Sequence, residues 1–232
     1  MLIVNGNEIL TINKYDLHKA SETMVQIIQA KDITLRDLIT QFGIQLVRDE
    51  QFFSEWQDNL PEVTDLEKQL LDRVQAGYFN LLNYPPLLED AIKLAVLSPL
   101  LYFAGFYLFP FHVRAEESVE IAAEDEGVMI TGKIDVLVLK EQLWIMVIES
   151  KKASFSIVAG LAQILAYMLA SPNPEKPSFG MITTGGSFIF IKLVKRETPR
   201  YATSRVFELL NPGNDLYSVL TILKRFGELV ND

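Results

Sequence analysis

Apolar residues recur at helical spacing behind two threonines in the first third of the chain. Thr34 precedes Leu35, Leu38, Ile39 and Phe42, and Thr64-Asp65-Leu66-Glu67 is a capping-box pattern ahead of Leu66, Leu70, Val74, Tyr78 and Leu81. Asn5-Gly6 between short apolar runs predicts a small hairpin at the start. Residues 1–84 therefore read as a mostly helical segment, ended by Pro85-Pro86. Beyond the prolines a helix from about Leu87 turns Ile92, Ala95 and Val96 inward and stops at Gly105. Val128–Leu139 and Leu143–Glu149 read as strands joined by the polar turn Lys140-Glu141-Gln142. The second strand is apolar on both faces, as a strand covered by helices on each side must be. Ser154–Ala170 is helical, with Val158, Leu161, Leu165 and Met168 along one side. Phe179–Thr184 and Phe188–Val194 form a strand pair around Gly185-Gly186, Val206–Leu210 is a short strand, and Asn214–Val230 closes as an amphipathic helix. This order predicts an α/β layer arrangement, a central mixed sheet flanked by helices over residues 85–232 with a helical N-terminal extension over 1–84.

Composition narrows the chemistry. With 232 residues, 49% of them hydrophobic, the chain can bury a sizeable core. It has no cysteine, which suits a cytoplasmic protein and leaves oxygen ligands and two isolated histidines, His18 and His112. Asn5, Asn7 and Glu8 interrupt the first apolar residues, so no secretory leader is expected. Residues 94–111 are uncharged over eighteen positions, but Pro99, Gly105 and Pro110 divide them. Buried core rather than a membrane span is expected there, filled by Tyr102, Phe103, Phe106, Tyr107, Phe109 and Phe111. Trp56 and Trp144 read as core or boundary aromatics.

The net charge of −9 argues against broad attraction to nucleic acid. The charge is uneven: Ala115–Glu126 holds acids and no base, whereas Lys192, Lys195, Arg196, Arg200 and Arg205 face only Glu197. That cationic strip fits either a phosphate contact or a solvated turn.

The densest chemistry lies in Gly132-Lys133-Ile134-Asp135 and Glu149-Ser150-Lys151. Glu149 and Lys151 are two apart on a strand and leave the same face. A three-residue turn at Lys140–Gln142 puts Asp135 opposite Val147, with Glu149 its diagonal neighbour; a two-residue turn needs a bulge to keep both acids on one face. Two close carboxylates repel unless a proton or cation lies between them, and oxygen donors favour Mg²⁺ or Mn²⁺. Such a site suits metal-assisted phosphodiester hydrolysis, with Lys151 neutralising charge on phosphorus. The same residues also fit a turn cap at Asp135 and a strand-end ion pair between Glu149 and Lys151.

Asp135, Glu149-x-Lys151, a following helix with Gln163-x-x-x-Tyr167 and an upstream helical acid, Glu89, together resemble the PD-(D/E)xK nuclease superfamily. More narrowly, residues 89–193 resemble the N-terminal nuclease domain of type I restriction enzyme R subunits and small stand-alone cyanobacterial relatives. The likeness rests on Glu89-Asp90-Ala91-Ile92-Lys93, Ser98-Pro99-Leu100-Leu101, Gly132 to Asp135, Ile148 to Lys151, Gln163 to Tyr167 and Phe188 to Lys192. It implies a restriction-endonuclease-like core and a Mg²⁺- or Mn²⁺-dependent endonuclease acting on DNA. In that scheme Asp135, Glu149 and Lys151 are catalytic, Glu89, Asp135 and Glu149 hold the metal, and Gln163, Tyr167 and Lys152 bind substrate. Ile134 replaces the family's proline. No Walker A loop accompanies the motif, since Gly186 stands where its lysine belongs, so no ATP is expected. No Gly-x-Ser-x-Gly elbow appears either. The N-terminal helices are left over as a surface for a protein partner or a homo-oligomer. The alternative is a non-catalytic nucleic-acid-binding or assembly module that keeps the fold.

Overall fold

In the computed structural model, residues 4–5, 8–9, 26–123, 128–141, 143–151 and 160–229 are described. Strands β1 (Val4–Asn5) and β2 (Glu8–Ile9) pair antiparallel, giving the small hairpin expected at Asn5. β3 (Gln26–Gln29) leads into α1 (Leu35–Phe42), whose Thr34–Asp37 capping box holds its first turn, and Gly43 ends it in the left-handed region. After β4 (Gln45–Leu46), α2 (Asp65–Leu82) starts at the Thr64–Glu67 capping box. Its buried face runs through Leu71 and Tyr78 rather than through Leu66, which is exposed. A continuous helical stretch follows: α3 (Glu89–Ile92), a π-helical turn Lys93–Leu97, and α4 (Ser98–Phe103).

The long strands come next: β5 (Phe111–Ala123), β6 (Val128–Lys140) and β7 (Leu143–Ser150) form an antiparallel meander. α5 (Leu161–Leu169) carries the chain to β8 (Ser178–Thr183), parallel to β7. β9 (Ser187–Val194), β10 (Arg200–Thr203) and β11 (Phe207–Glu208) follow, and α6 (Leu216–Glu228) comes last. Nine of these strands make one mixed sheet in the order β3-β6-β7-β8-β9-β10-β4, with β5 also on β6 and β11 also on β9. No described helix is long and apolar enough to cross a membrane.

Helices cover both faces. On one face α2, the α3–α4 stretch and α6 pack on Val136, Val138, Met146, Ile148, Met181 and Phe190. On the other, α1 and α5 pack on Ile130, Ile134, Leu137, Val147, Ile182 and Ile191. β7 is buried from Ile145 to Ser150, as its two-sided apolar pattern requires. α5 is buried nearly all round, not along one side, because it lies between the sheet and α1.

Some expectations need correction. The segment before Pro85, expected to be a mostly helical extension, also contributes strands to the main sheet: β3 pairs with β6 and β4 with β10, both parallel. Gln26-Ile27-Ile28-Gln29 and Gln45-Leu46 are too short and polar to show a strand period. β5 was also hidden, because its exposed side carries Glu116 and Glu120 while Val119 and Ile121 turn inward. Phe106 is buried as expected, but Tyr102, Tyr107 and Phe109 are exposed, Phe109 by 95%. Pro110 and Gly105 break the run into turns that point these rings outward. Expectations for Gly6, His18, Lys152, Val158 and the first residues of the Ser154–Ala170 helix fall outside the described residues.

Candidate metal centre

β6 carries a partner along its whole length on one edge, β5. On the other edge β3 pairs with Val128–Thr131 and β7 pairs from Val136 onward, which leaves Gly132–Asp135 between them without a strand neighbour among the described residues. The strand also turns over there. Val128, Ile130 and Ile134 belong to the layer under α5, and so do Leu137 and Leu139, so the alternation breaks at Asp135. Its β5 neighbour Glu116 adopts a positive φ of 55°. Asp135 therefore sits at a twisted step in the strand.

The β6–β7 turn settles the parity of the acids. Lys140 pairs with Leu143, so two residues separate the strands rather than three. Leu139 pairs with Trp144 but Val138 with Met146, which makes Ile145 an inserted bulge residue. The bulge compensates for the shorter turn. Continuing the Val136–Ile148 register by one step puts Asp135 directly across from Glu149 rather than diagonal to it.

Around this step the side chains form two connected chains. Asp135 Oδ2 accepts from the Ser150 main-chain N–H at 2.7 Å, and its Oδ1 accepts from Lys93 Nζ at 3.1 Å. Lys93 Nζ also lies 2.9 Å from Glu89 Oε1. In the second chain Lys151 Nζ donates to Glu149 Oε1 at 2.5 Å and to Gln163 Oε1 at 2.8 Å, and Gln163 Nε2 donates to the Tyr167 hydroxyl at 2.9 Å. Gln163 and Tyr167, one turn apart on α5, are thus tied to the lysine and acid of β7. Asp135, Glu149, Lys151, Gln163, Tyr167 and Glu89 all come together here. Lys152 lies outside the described residues.

Burial makes this arrangement costly. Glu149 is 2% exposed, and its Oε2 is buried with no hydrogen-bond partner among the described residues. Desolvation, reinforced by the Asp135 and Glu89 carboxylates and only partly countered by Lys151, pushes the Glu149 pKa up to about 7. Burial likewise pushes Tyr167 up to about 12. Lys93 goes the other way from what its partial burial favours: Glu89 and Asp135 hold it above the ordinary lysine range.

Among the described residues, no group of three acidic or histidine side chains stands in position to ligate one ion; Lys93 occupies the space between Glu89 and Asp135. The donor set still fits a hard cation. Asp135 and Glu149 are facing carboxylates, and Glu149 Oε2 is an orphaned acceptor that a cation would satisfy. A cleft of about 550 Å³ adjoins the site, lined by Gln29, Thr131, Gly132, Lys133, Gln163 and Tyr167 among others; Asp135, Glu149 and Lys151 are not among its lining residues.

Gly132 has a steric role that the motif alone does not reveal. A Cβ there would lie 2.8 Å from the Tyr167 ring and 2.8 Å from Ala30 Cβ. Lys93 was also passed over, although its spacing of four from Glu89 on a helix is a signal for an ion pair. The two lysines of the cationic strip are engaged within the protein, while Arg196, Arg200 and Arg205 are exposed. Lys192 pairs with Glu55, Lys195 donates to the main-chain oxygens of Leu169 and Ser171, and Arg205 lies over Phe207. His112 is exposed and pairs with no other metal-type ligand. The chain matches no protein-family model and no curated protein.

Proposed function

We propose that this chain is a metal-dependent endonuclease that hydrolyses DNA phosphodiester bonds, in the manner of a restriction nuclease without its own ATP-driven motor. The observation that carries the reading is the facing pair Asp135 and Glu149 beside Lys151 at a gap in a sheet edge, with Gln163 and Tyr167 between Lys151 and an adjoining cleft. The order of elements also supports a restriction-endonuclease-like core. The α3–α4 helix precedes an antiparallel β5-β6-β7 meander, and α5 then crosses to β8 parallel to β7.

Asp135 and Glu149 would hold Mg²⁺ or Mn²⁺, with Glu89 approaching from α3. When bound, such an ion polarises a phosphoryl oxygen and lowers the pKa of a coordinated water. The protein's own groups do the rest. Lys151, fixed between Glu149 and Gln163, presents a positive charge where negative charge grows on the phosphate oxygens. The Ser150 N–H fixes the Asp135 carboxylate, so that ligand is oriented before any ion arrives. Gln163 and Tyr167 line the cleft and orient Lys151 from behind.

Nicking of supercoiled plasmid in Mg²⁺ or Mn²⁺ tests the reading. Parent protein is expected to cut, EDTA to stop it, and Asp135→Ala and Lys151→Ala to lower the rate by about 10²-fold or more. Folded variants that cut as fast as the parent would reject it.

A second reading, a non-catalytic nucleic-acid-binding or assembly module, draws on a different observation. Leu94, Tyr102, Leu108 and Phe109 are all exposed around α4, an apolar surface of the kind that meets another protein. Together with the net charge of −9, this favours a protein partner or a second copy over extended DNA contact. Plasmid nicking separates the two readings, and light scattering of the parent and a Leu108→Ser/Phe109→Ser variant tests whether this surface joins two copies, a fall in mass being the expected result if it does.

A further inference from the structure

Lys93 has no role in the chemistry proposed above, yet it bridges two of the acids that chemistry needs. Its ammonium joins two acids from different elements, Glu89 on α3 at 2.9 Å and Asp135 on β6 at 3.1 Å. It is only a quarter exposed. The helix itself sets this up. Glu89 and Lys93 are one turn apart, and the wide π-helical turn starts at Lys93. With Ile92 buried before it and Val96 and Leu97 buried after it, the turn is anchored on the sheet while Lys93 reaches Asp135.

An ordinary surface ion pair needs one acid. Here a single cation neutralises two carboxylates, the coordination a hard ion would adopt with the same oxygens. We propose that Lys93 is a tethered counter-ion: it holds Glu89 and Asp135 together in the metal-free protein and leaves when Mg²⁺ or Mn²⁺ binds. Loading the site is then an exchange of one cation for another. The inference rests on the metal-site reading and adds a residue that this reading does not contain.

The exchange has two consequences. The metal-free site stays assembled, because Glu89 and Asp135 are not left to repel one another. The cost is affinity, since every contact Lys93 makes must be given up before the ion gains its own. Once released, the ammonium swings on a flexible four-carbon stem at the rim of the site.

Calorimetric titration of Mn²⁺ into the full chain and its Lys93→Met, Lys93→Arg and Asp135→Asn variants tests the proposal. Lys93→Met is expected to bind Mn²⁺ on the order of tenfold more tightly than the parent, the factor that ~1.4 kcal/mol of lost competition gives. Lys93→Arg keeps a competing cation and gains nothing, and Asp135→Asn loses binding. In ¹⁵N-lysine NMR of the parent, the hydrogen-bonded Lys93 ammonium resonance is expected to disappear as Mg²⁺ is added. If parent and Lys93→Met bind equally while Asp135→Asn does not bind, the metal site stands and the counter-ion role is overturned. Tighter binding with an unchanged Lys93 resonance also overturns the exchange, since the charge then acts without leaving. If neither parent nor Lys93→Met binds Mn²⁺, the metal-site reading fails and takes this inference with it.

Discussion

Burying Glu149 costs the fold. Buried and opposite Asp135, it ionises only near pH 7 against an ordinary 4.5. A carboxyl whose pKa is raised by folding favours the native state while it is protonated. That contribution is complete below pH 4.5 and is lost as pH rises through about 7, a swing of about 3 kcal/mol for a group this buried. Urea unfolding in EDTA is therefore expected to show stability falling between those pH values, and Mg²⁺ is expected to restore it above pH 7. Glu149→Gln, with no charge to desolvate, is expected to be more stable than the parent by about 2–3 kcal/mol at pH 8. At pH 5 the difference should vanish; a variant less stable at both pH values would contradict the account. Gly132 makes the complementary case. Gly132→Ala drives a methyl against the Tyr167 ring and Ala30, so a loss of about 1–3 kcal/mol is expected by chemical denaturation. Parent-like stability would show that Tyr167 has room to move. The proximity of Asp135, Glu149 and Lys151 was legible in the sequence because strand parity limits where such side chains can go, whereas Glu89, Gln163 and Tyr167 were singled out only by the resemblance. Gly132's packing and Lys93's bridge were not legible, since both depend on contacts between distant segments.

At the scale of elements, the β6–β7 hairpin decides the site. Its two-residue connection alone would send Glu149 and Lys151 to the face away from α5, and the Ile145 bulge brings them back. Deleting Ile145 restores a regular ladder in which Met146 still faces Val138, so Glu149 and Lys151 stay on the α5 face. The deletion is expected to keep Mn²⁺ binding while the loss of a buried side chain lowers stability by about 1–3 kcal/mol, read by calorimetry and thermal melting. Loss of Mn²⁺ binding in a folded deletion variant would show that the local twist of the bulge, and not the parity it restores, positions Glu149. The requirement for an odd turn or a bulge could be read from the sequence, but the choice between them could not, because Lys140-Glu141-Gln142 suits either. α2 shows a similar limit: Leu66 and Leu71 both fit a helical stripe, and the partner surface, not the spacing, selects Leu71. β3 and β4 left no trace because parallel pairing over two to four residues is set by the strand beside them.

For the whole molecule, the mixed sheet with helices on both faces was legible from the order of apolar runs. What escaped was its stitching: the segment before Pro85 adds strands at two places on the sheet, so its helices share the core of the rest. An acidic protein has little general attraction for DNA, and the proposed function puts the needed positive charge at one point, a cation between Asp135 and Glu149. Anomalous scattering from a manganese-soaked crystal tests that claim most directly. The account expects one strong peak within bonding distance of Asp135 and Glu149, with the Lys93 ammonium turned away from Asp135. Saturating manganese that leaves no peak there, with Lys93 still bridging Glu89 and Asp135, would contradict it.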